Sequence, residues 1–503
     1  MVALMLLTSA ASAARIKLYI DESRSMQLGL QTWFRPRCAQ AAAMTRVTDL
    51  LRLENLRNYD VAAVWNQTES IQYSPEEIEA VKTFVAKGGG LLIIGNPGPH
   101  TQDRARFAND IFPQPVALPE SRFSLNGLSG AFGPLFSNAS RPGSPNYTSG
   151  HPLTDVSTLN QTRFGQPLSC LMGSPKDAKT IATAFGHPVI VALSYGKGRV
   201  IVCGASRLFM NYGKLPDVKL GKHDTEIAAQ QDLLVHWLEW LSANSPCRES
   251  GEAKVPLRIP GRVVVSESGI TVYTIPPFEP TARQLAGFWK KAWPELARTT
   301  GLSSPIELVS DLPSGAKLEV YLCAAEAGGL SAANRVALPA VGGDERLVGV
   351  LGHEVGHKLL GGCNTSVSEA FAEWLSIKAL AAAGLSERAR AKEAEKIKEY
   401  RDEDPTGSKL NVSDSTTEIT KSKACQGKWI WILKELEREH GDTFLKAYVS
   451  ALRSEVTLTN AARKSVNGVE RKLTMGDHIR ALSKAAGKDL APWFKELGIT
   501  STD

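Results

Sequence analysis

The stretch "VGVLGHEVGHKLLGG", residues 348–362, sets two histidines four apart with a glutamate directly after the first. Its apolar positions recur at helical spacing, and the closing glycine pair can end a helix. On such a helix His353 and His357 share one face, a turn apart, where two imidazole nitrogens can reach one tetrahedral ion. Glu354 stands beside them, suited to hold a water at that ion and take its proton. An H-E-x-x-H arises by chance in roughly 1% of chains of this length and histidine content. Alone it is equally a helix with two surface histidines. The rest of the chain decides.

Shortly downstream, "NTSVSEAFAEWLSIKAL" (364–380) reads as a second helix with Glu369 and Glu373 four apart on one face. Ser366 followed three residues later by Glu369 is also the pattern of a capping box, which accounts for Glu369 without metal. It does not account for Glu373, an acid among Ala370, Phe371, Ala372 and Trp374. A carboxylate on an apolar helix face needs a partner, and a metal–histidine pair provides one. One residue can start the helix and bind the ion, so the two readings of Glu369 overlap.

"HEVGH" followed by "SEAFAEW" resembles the gluzincin zinc metallopeptidases, the clan of thermolysin and the M-type aminopeptidases. Their pattern is H-E-x-x-H, then a glutamate ligand within N-E-x-F-[A/S]-x-[E/D/Y]. By position the resemblance implies His353, His357 and Glu369 as ligands of one Zn2+ and Glu354 as general base. It implies Glu373 as an acid bonding a ligand histidine from behind. Ser368 replaces the usual asparagine. The stretches "GKWIWILKELEREHGDTFLKAYVSALR" (427–453) and "MGDHIRALSKAAGKDLAPWFKELGI" (475–499) are similar to the helical region of aminopeptidase-like members. Two features depart from those aminopeptidases. "ANRVALPAVGG" (333–343) stands where they carry G-x-M-E-N, and no tyrosine adjoins Cys425.

The first half of the chain alternates strand and helix signals. "YDVAAVWN" (59–66) and "LLIIG" (91–95) are apolar strands, and "SPEEIEAVKTFVAKGGG" (74–90) is a helix with a serine cap and proline in its first turn. Residues 96–175, rich in Gly, Pro, Ser and Asn, read as long surface loops. "HPVIVALSYGKGRVIVCGAS" (187–206) is a hairpin, and "IAAQQDLLVHWLEWLSA" (227–243) an amphipathic closing helix. Alternation of this kind argues an open α/β sheet. "SPEEIEAVKTFVAKGGGLLIIG" and "YGKGRVIVCGAS" resemble glutamine-amidotransferase-like, flavodoxin-like domains. Active members carry a nucleophilic cysteine in G-x-C-x-G. Cys38, Cys170 and Cys203 lack that frame, so no amidotransferase chemistry is expected.

The polar, Pro/Gly-containing stretch 246–262 reads as a linker. Beyond it, "RVVVSESGITVYTI" gives two strands, "PTARQLAGFWKKAWPELARTTG" a helix, and "KLEVYLCA" and "NRVALPAV" two more strands. From residue 345 the chain reads as almost wholly helical.

The expected fold class is α/β plus α+β. A flavodoxin-like open-sheet domain (14–245) precedes a metallopeptidase domain (263–503) with a mainly helical C-terminal half. This order is similar to the enhancin-like and mucin-degrading peptidases, some of whose relatives place an amidotransferase-like domain first. The expected activity is hydrolysis of peptide bonds in a protein, peptide or glycoprotein. An aminopeptidase, or a binding protein built on the same fold, are the competing readings. Tyr400, His440 and His478 are motif-free candidates to stabilise an oxyanion, and "NRVALP" is expected to line the cleft.

The net charge of +6 shows no basic block, which sets nucleic acid aside as a partner. No later segment reads as a membrane span. Residues 1–13, a short apolar run ending in Ala11-Ser12-Ala13, read as a signal peptide, and secretion follows; the competing reading is a first strand. The 7 cysteines form no CxxC pair, which excludes a cysteine-ligated zinc ribbon. Asn66, Asn138, Asn146, Asn160, Asn364 and Asn411 begin N-x-S/T sequons, open to glycosylation on a secretory route.

Overall fold

The computed structural model describes residues 15–23, 36–66, 72–95, 124–143, 145–155, 166–205, 224–248, 255–307, 315–323, 330–332, 334–340, 344–359, 365–408, 410, 412–413, 423–463 and 474–500. Residues 1–13, expected as a signal peptide, lie outside them. The chain forms two compact units, one from Met1–Gly261 and the other mainly from Arg262–Leu322 and Ala327–Asp503.

The first unit runs β1 (Ile16–Asp21), α1 (Pro36–Ala41), β2 (Ala42–Val47), α2 (Leu53–Leu56), β3 (Val61–Asn66), α3 (Pro75–Ala86), β4 (Gly90–Gly95), α4 (Ser124–Gly130), β5 (Leu135–Gly143), β6 (Asn146–Tyr147), β7 (Gln166–Met172), β8 (Lys179–Ala184), β9 (His187–Tyr195), β10 (Gly198–Cys203), α5 (Asp224–Ser242) and β11 (Arg258–Ile259). Nine strands make one sheet in the order β11-β2-β1-β3-β4-β10-β9-β8-β6, parallel from β11 to β10 and antiparallel beyond.

Both faces of its central strands are buried, as a parallel sheet with helices on each side requires. Along β1, Leu18 and Ile20 join the core under α5, whereas Tyr19 joins the core under α3. In β4, Leu92 and Ile94 face α5's Trp237 and Leu238, while Leu91 and Ile93 face α3's Val81, Phe84 and Val85. Each such side chain withdrawn from water contributes about 1.5–3 kcal/mol before entropy is counted. Ser74 caps α3, accepting from Glu77 N while Glu77 accepts from Ser74 N, and the other Glu77 oxygen accepts from Leu51 N at 3.0 Å.

Two readings of the sequence need correction. Residues 96–175 are not only loops, because α4 and β5–β7 lie there and β5 pairs antiparallel with β7. Turn residues between and within these short strands hide their alternation. Within the stretch 246–262, whose residues 249–254 lie outside the described ones, the C-terminal part is paired rather than free. Its Arg258–Ile259 pairs parallel with Arg46–Val47, and Arg46 and Arg258 both reach the buried Glu22 at 3.3 Å. A two-residue strand has no period to detect; a shared buried carboxylate holds it.

The second unit runs β12 (Val263–Glu267), β13 (Ile270–Thr274), α6 (Glu279–Thr300), β14 (Leu318–Cys323), β15 (Leu330–Ala332), β16 (Arg335–Pro339), α7 (Asp344–Leu359), α8 (Thr365–Ala382), α9 (Ser386–Glu403), β17 (Val412–Ser413), α10 (Lys423–His440), α11 (Phe444–Arg463), α12 (Met475–Ala486), α13 (Ala491–Glu496) and β18 (Ile499–Thr500). Its sheet has the order β12-β13-β14-β16-β15. "NRVALP" therefore supplies an interior strand, and the edge beside it is β15. The unit ends in the helical half expected from the sequence. No helix among the described residues is long and apolar enough to cross a membrane.

Candidate metal centre

Helices α7 and α8 pack closely because α7 offers glycine where they cross. A Cβ on Gly356 would lie 2.4 Å from Ala372 Cα, and one on Gly352 would lie 2.8 Å from Ala379 Cβ. Glycine inside a helix costs about 1 kcal/mol relative to alanine. Here it allows backbone approach that no larger residue permits. Leu347, Val348, Leu351 and Val355 bury the apolar stripe of α7.

That approach brings together three residues expected from the sequence. His353 Nε2 and His357 Nε2 lie 3.0 Å apart. Glu369 Oε2 is 3.5 Å from the first nitrogen and Oε1 is 3.6 Å from the second. Zinc–nitrogen and zinc–oxygen bonds of 2.0–2.1 Å in a tetrahedron imply ligand–ligand edges of about 3.3 Å. The observed spacings bracket that value, so the donor set fits one zinc ion. Among the described residues, these three form the only His/Cys/Asp/Glu group of this kind.

The backs of the rings fix which nitrogens face inward. His353 Nδ1 donates to Glu373 Oε2 at 3.1 Å, since a carboxylate can only accept. His357 Nδ1 lies 3.1 Å from Ser368 Oγ, on the residue just before Glu369. Ser368 Oγ can accept from His357 Nδ1, and with that nitrogen protonated as His353 Nδ1 is, two Nε2 lone pairs and a carboxylate converge. Lone pairs 3.0 Å apart repel unless a cation or proton lies between them. The electrostatics agree: burial opposes charge on His353, but its hydrogen bonds to Glu369 and Glu373 outweigh that and push it up to about 9.

Glu354 is buried at 4% exposure. Burial pushes its carboxyl up to about 7, with His353 pulling the other way, Glu369 adding to the rise and Lys358 opposing it. Lys358, also buried, is pushed down to about 8. Glu373 carries a second partner: Lys392 Nζ, from α9, sits 2.9 Å from Oε2 and also donates to Ser376 Oγ at 2.8 Å. Nothing in the sequence around Lys392 marks it, since α9 is charged throughout and its contact lies across helices.

The capping-box reading of Glu369 does not survive in its simple form. α8 begins at Thr365, so Ser366 is already inside the helix, and the Glu369 carboxylate faces the two imidazoles. The three suggested oxyanion donors fare poorly. Tyr400 and His478 are fully buried, with His478 Nδ1 2.8 Å from Tyr448 Oη. His440 pairs with Glu439 at 3.7 Å and stacks on Phe444.

For Cys38 and Cys203 the sequence-frame argument against an active thiol has electrostatic support. Burial pushes both Cys38 and Cys203 up to about 12, leaving almost no thiolate near neutral pH.

No protein-family model matches the chain, and no curated protein does. Among solved structures it is similar to a cytoplasmic protein of Salmonella typhimurium, at 15% identity over 45% of this chain and 98% of that one, TM-score 0.28. A ThuA-like protein from Bacteroides uniformis is 16% identical over 48% of this chain and 96% of that one, TM-score 0.28. An M1 zinc metallopeptidase from Deinococcus radiodurans, bound to a Tyr-Ser-Ala substrate, is 16% identical over 47% of this chain, TM-score 0.28. The match spans about half the metallopeptidase's length, 50%. Likeness this slight carries no argument about activity; the geometry of the site does.

Proposed function

We propose that the chain is a zinc-dependent peptidase with His353, His357 and Glu369 holding one ion and Glu354 as general base. One observation carries this reading: two imidazole nitrogens, their rings held from behind, and the Glu369 carboxylate, one oxygen toward each nitrogen, converge at spacings of 3.0–3.6 Å. A zinc ion there supplies a Lewis acid that polarises the scissile carbonyl and eases deprotonation of a water. Glu354, buried beside His353, takes that proton and returns it to the leaving amine. Glu373 and Ser368 keep the imidazoles turned inward. The edge strand β15 packs on α7, which supports pairing of that edge with an extended substrate.

The substrate proposed is a protein, peptide or glycoprotein met outside the cell, with residues 1–13 as the export signal and a domain order like that of the enhancin-like peptidases. The first unit is a non-catalytic partner of the peptidase. Zinc-loaded protein incubated with unblocked and amino-blocked peptides tests this. Cleavage of internal bonds in both, abolished by a chelator and restored by zinc, is the expected result. Release of amino-terminal residues from unblocked peptides alone would favour an aminopeptidase. No cleavage of either set with zinc bound would favour a binding protein.

A further inference from the structure

We infer that Lys392 is a positioning residue for the metal centre, a role that rests on the zinc reading above and that no motif assigns. Its ammonium and the His353 Nδ1–H share one oxygen, Glu373 Oε2, at 2.9 and 3.1 Å. Two donors on one oxygen fix the carboxylate's rotation as well as its position, and the terminal carboxylate torsion is otherwise broad. Lys392 is itself anchored by Ser376 Oγ at 2.8 Å, three residues along α8 from Glu373. The chain of contact runs α9 to α8 to α7: Lys392, Glu373, His353, ion.

An ordinary surface ion pair contributes little, because water screens it and both side chains must be ordered. This pair differs in place. The Glu373 side chain is only 14% exposed, and its bonded oxygen is the one that orients a ligand. Outer partners of metal-bound histidines govern metal affinity by 10–100-fold in general. Lys392 stands one bond further out, so the low end of that range, roughly tenfold, is expected.

The test is zinc affinity of the full chain, measured by competition with a chelating dye, together with melting temperature with and without zinc. Lys392→Met should weaken zinc binding roughly tenfold and shrink the stabilisation that zinc confers, with little change in the metal-free melting temperature. Lys392→Arg, which keeps a cation within reach, should recover part of the affinity. Unchanged affinity in Lys392→Met, or equal loss of stability with and without zinc, would overturn the role and leave the zinc reading intact. Zinc binding that survives His353→Ala undiminished would instead remove the zinc reading and this role with it. Should Lys392→Met not fold, Ser376→Ala removes the ammonium's anchor while keeping its charge. A smaller loss of zinc affinity is then expected, and none would count against the role.

Discussion

Gly356 and Ala372 meet across α7 and α8 so closely that a Cβ on the glycine would lie 2.4 Å from the alanine's Cα. The contact sits one residue from His357 and three from Glu369, so helix spacing and donor spacing are set together.

Gly356→Ala should therefore act on both. Alanine favours helix by about 1 kcal/mol, but forcing the helices apart costs about 1–3 kcal/mol, and the clash is with backbone rather than a movable side chain. The expected result is lower stability in denaturant titration together with weaker zinc binding. A stabilised variant with unchanged zinc affinity would show that helix contact does not set the donors.

His478 gives a pH-dependent prediction remote from the metal. Burial pushes its imidazole down to about 4, and Nδ1 lies 2.8 Å from Tyr448 Oη. An unfolded histidine titrates near 6.5, so below that pH the unfolded chain gains a proton that the folded one refuses. Its contribution is fully present above about pH 6.5 and falls as pH drops toward 4, by on the order of 3 kcal/mol. His478→Gln should be less stable than the parent at pH 7.5, and denaturant titration at pH 4.5 should find that gap narrowed. A gap of constant size would contradict the buried neutral imidazole.

The two fully buried thiols of the first unit, Cys38 and Cys203, should be chemically silent. Cys38→Ser and Cys203→Ser are expected to leave peptide cleavage unchanged, with a modest stability loss from placing hydroxyls where both thiols are fully buried. A large loss of activity in a well-folded variant would reveal a nucleophile at one of these two buried positions.

What the sequence made legible follows from how local each signal is. His353 and His357 are read from one helical turn, and Glu373 from the oddity of an acid on an apolar face. The sheet strands β3 and β4 are continuous apolar runs with both faces buried, easy to see. By contrast β11 is two residues long and depends on Glu22, more than two hundred positions away. The interior place of β16 depends on β15 pairing outside it, which residue pattern does not encode. Lys392 reaches its partner across two helices, and no spacing rule links positions 373 and 392.

Zinc content of the purified parent, Glu354→Gln and Glu369→Ala chains tests the central claim most directly. Glu354 is assigned to the water's proton and not to the ion, so Glu354→Gln should retain one zinc per chain while losing turnover by orders of magnitude. Glu369 is assigned as the third donor, so Glu369→Ala should lose zinc along with activity, since two histidines alone hold it poorly. Full zinc occupancy in Glu369→Ala would contradict the assignment and return Glu369 to the role of a helix-start acid.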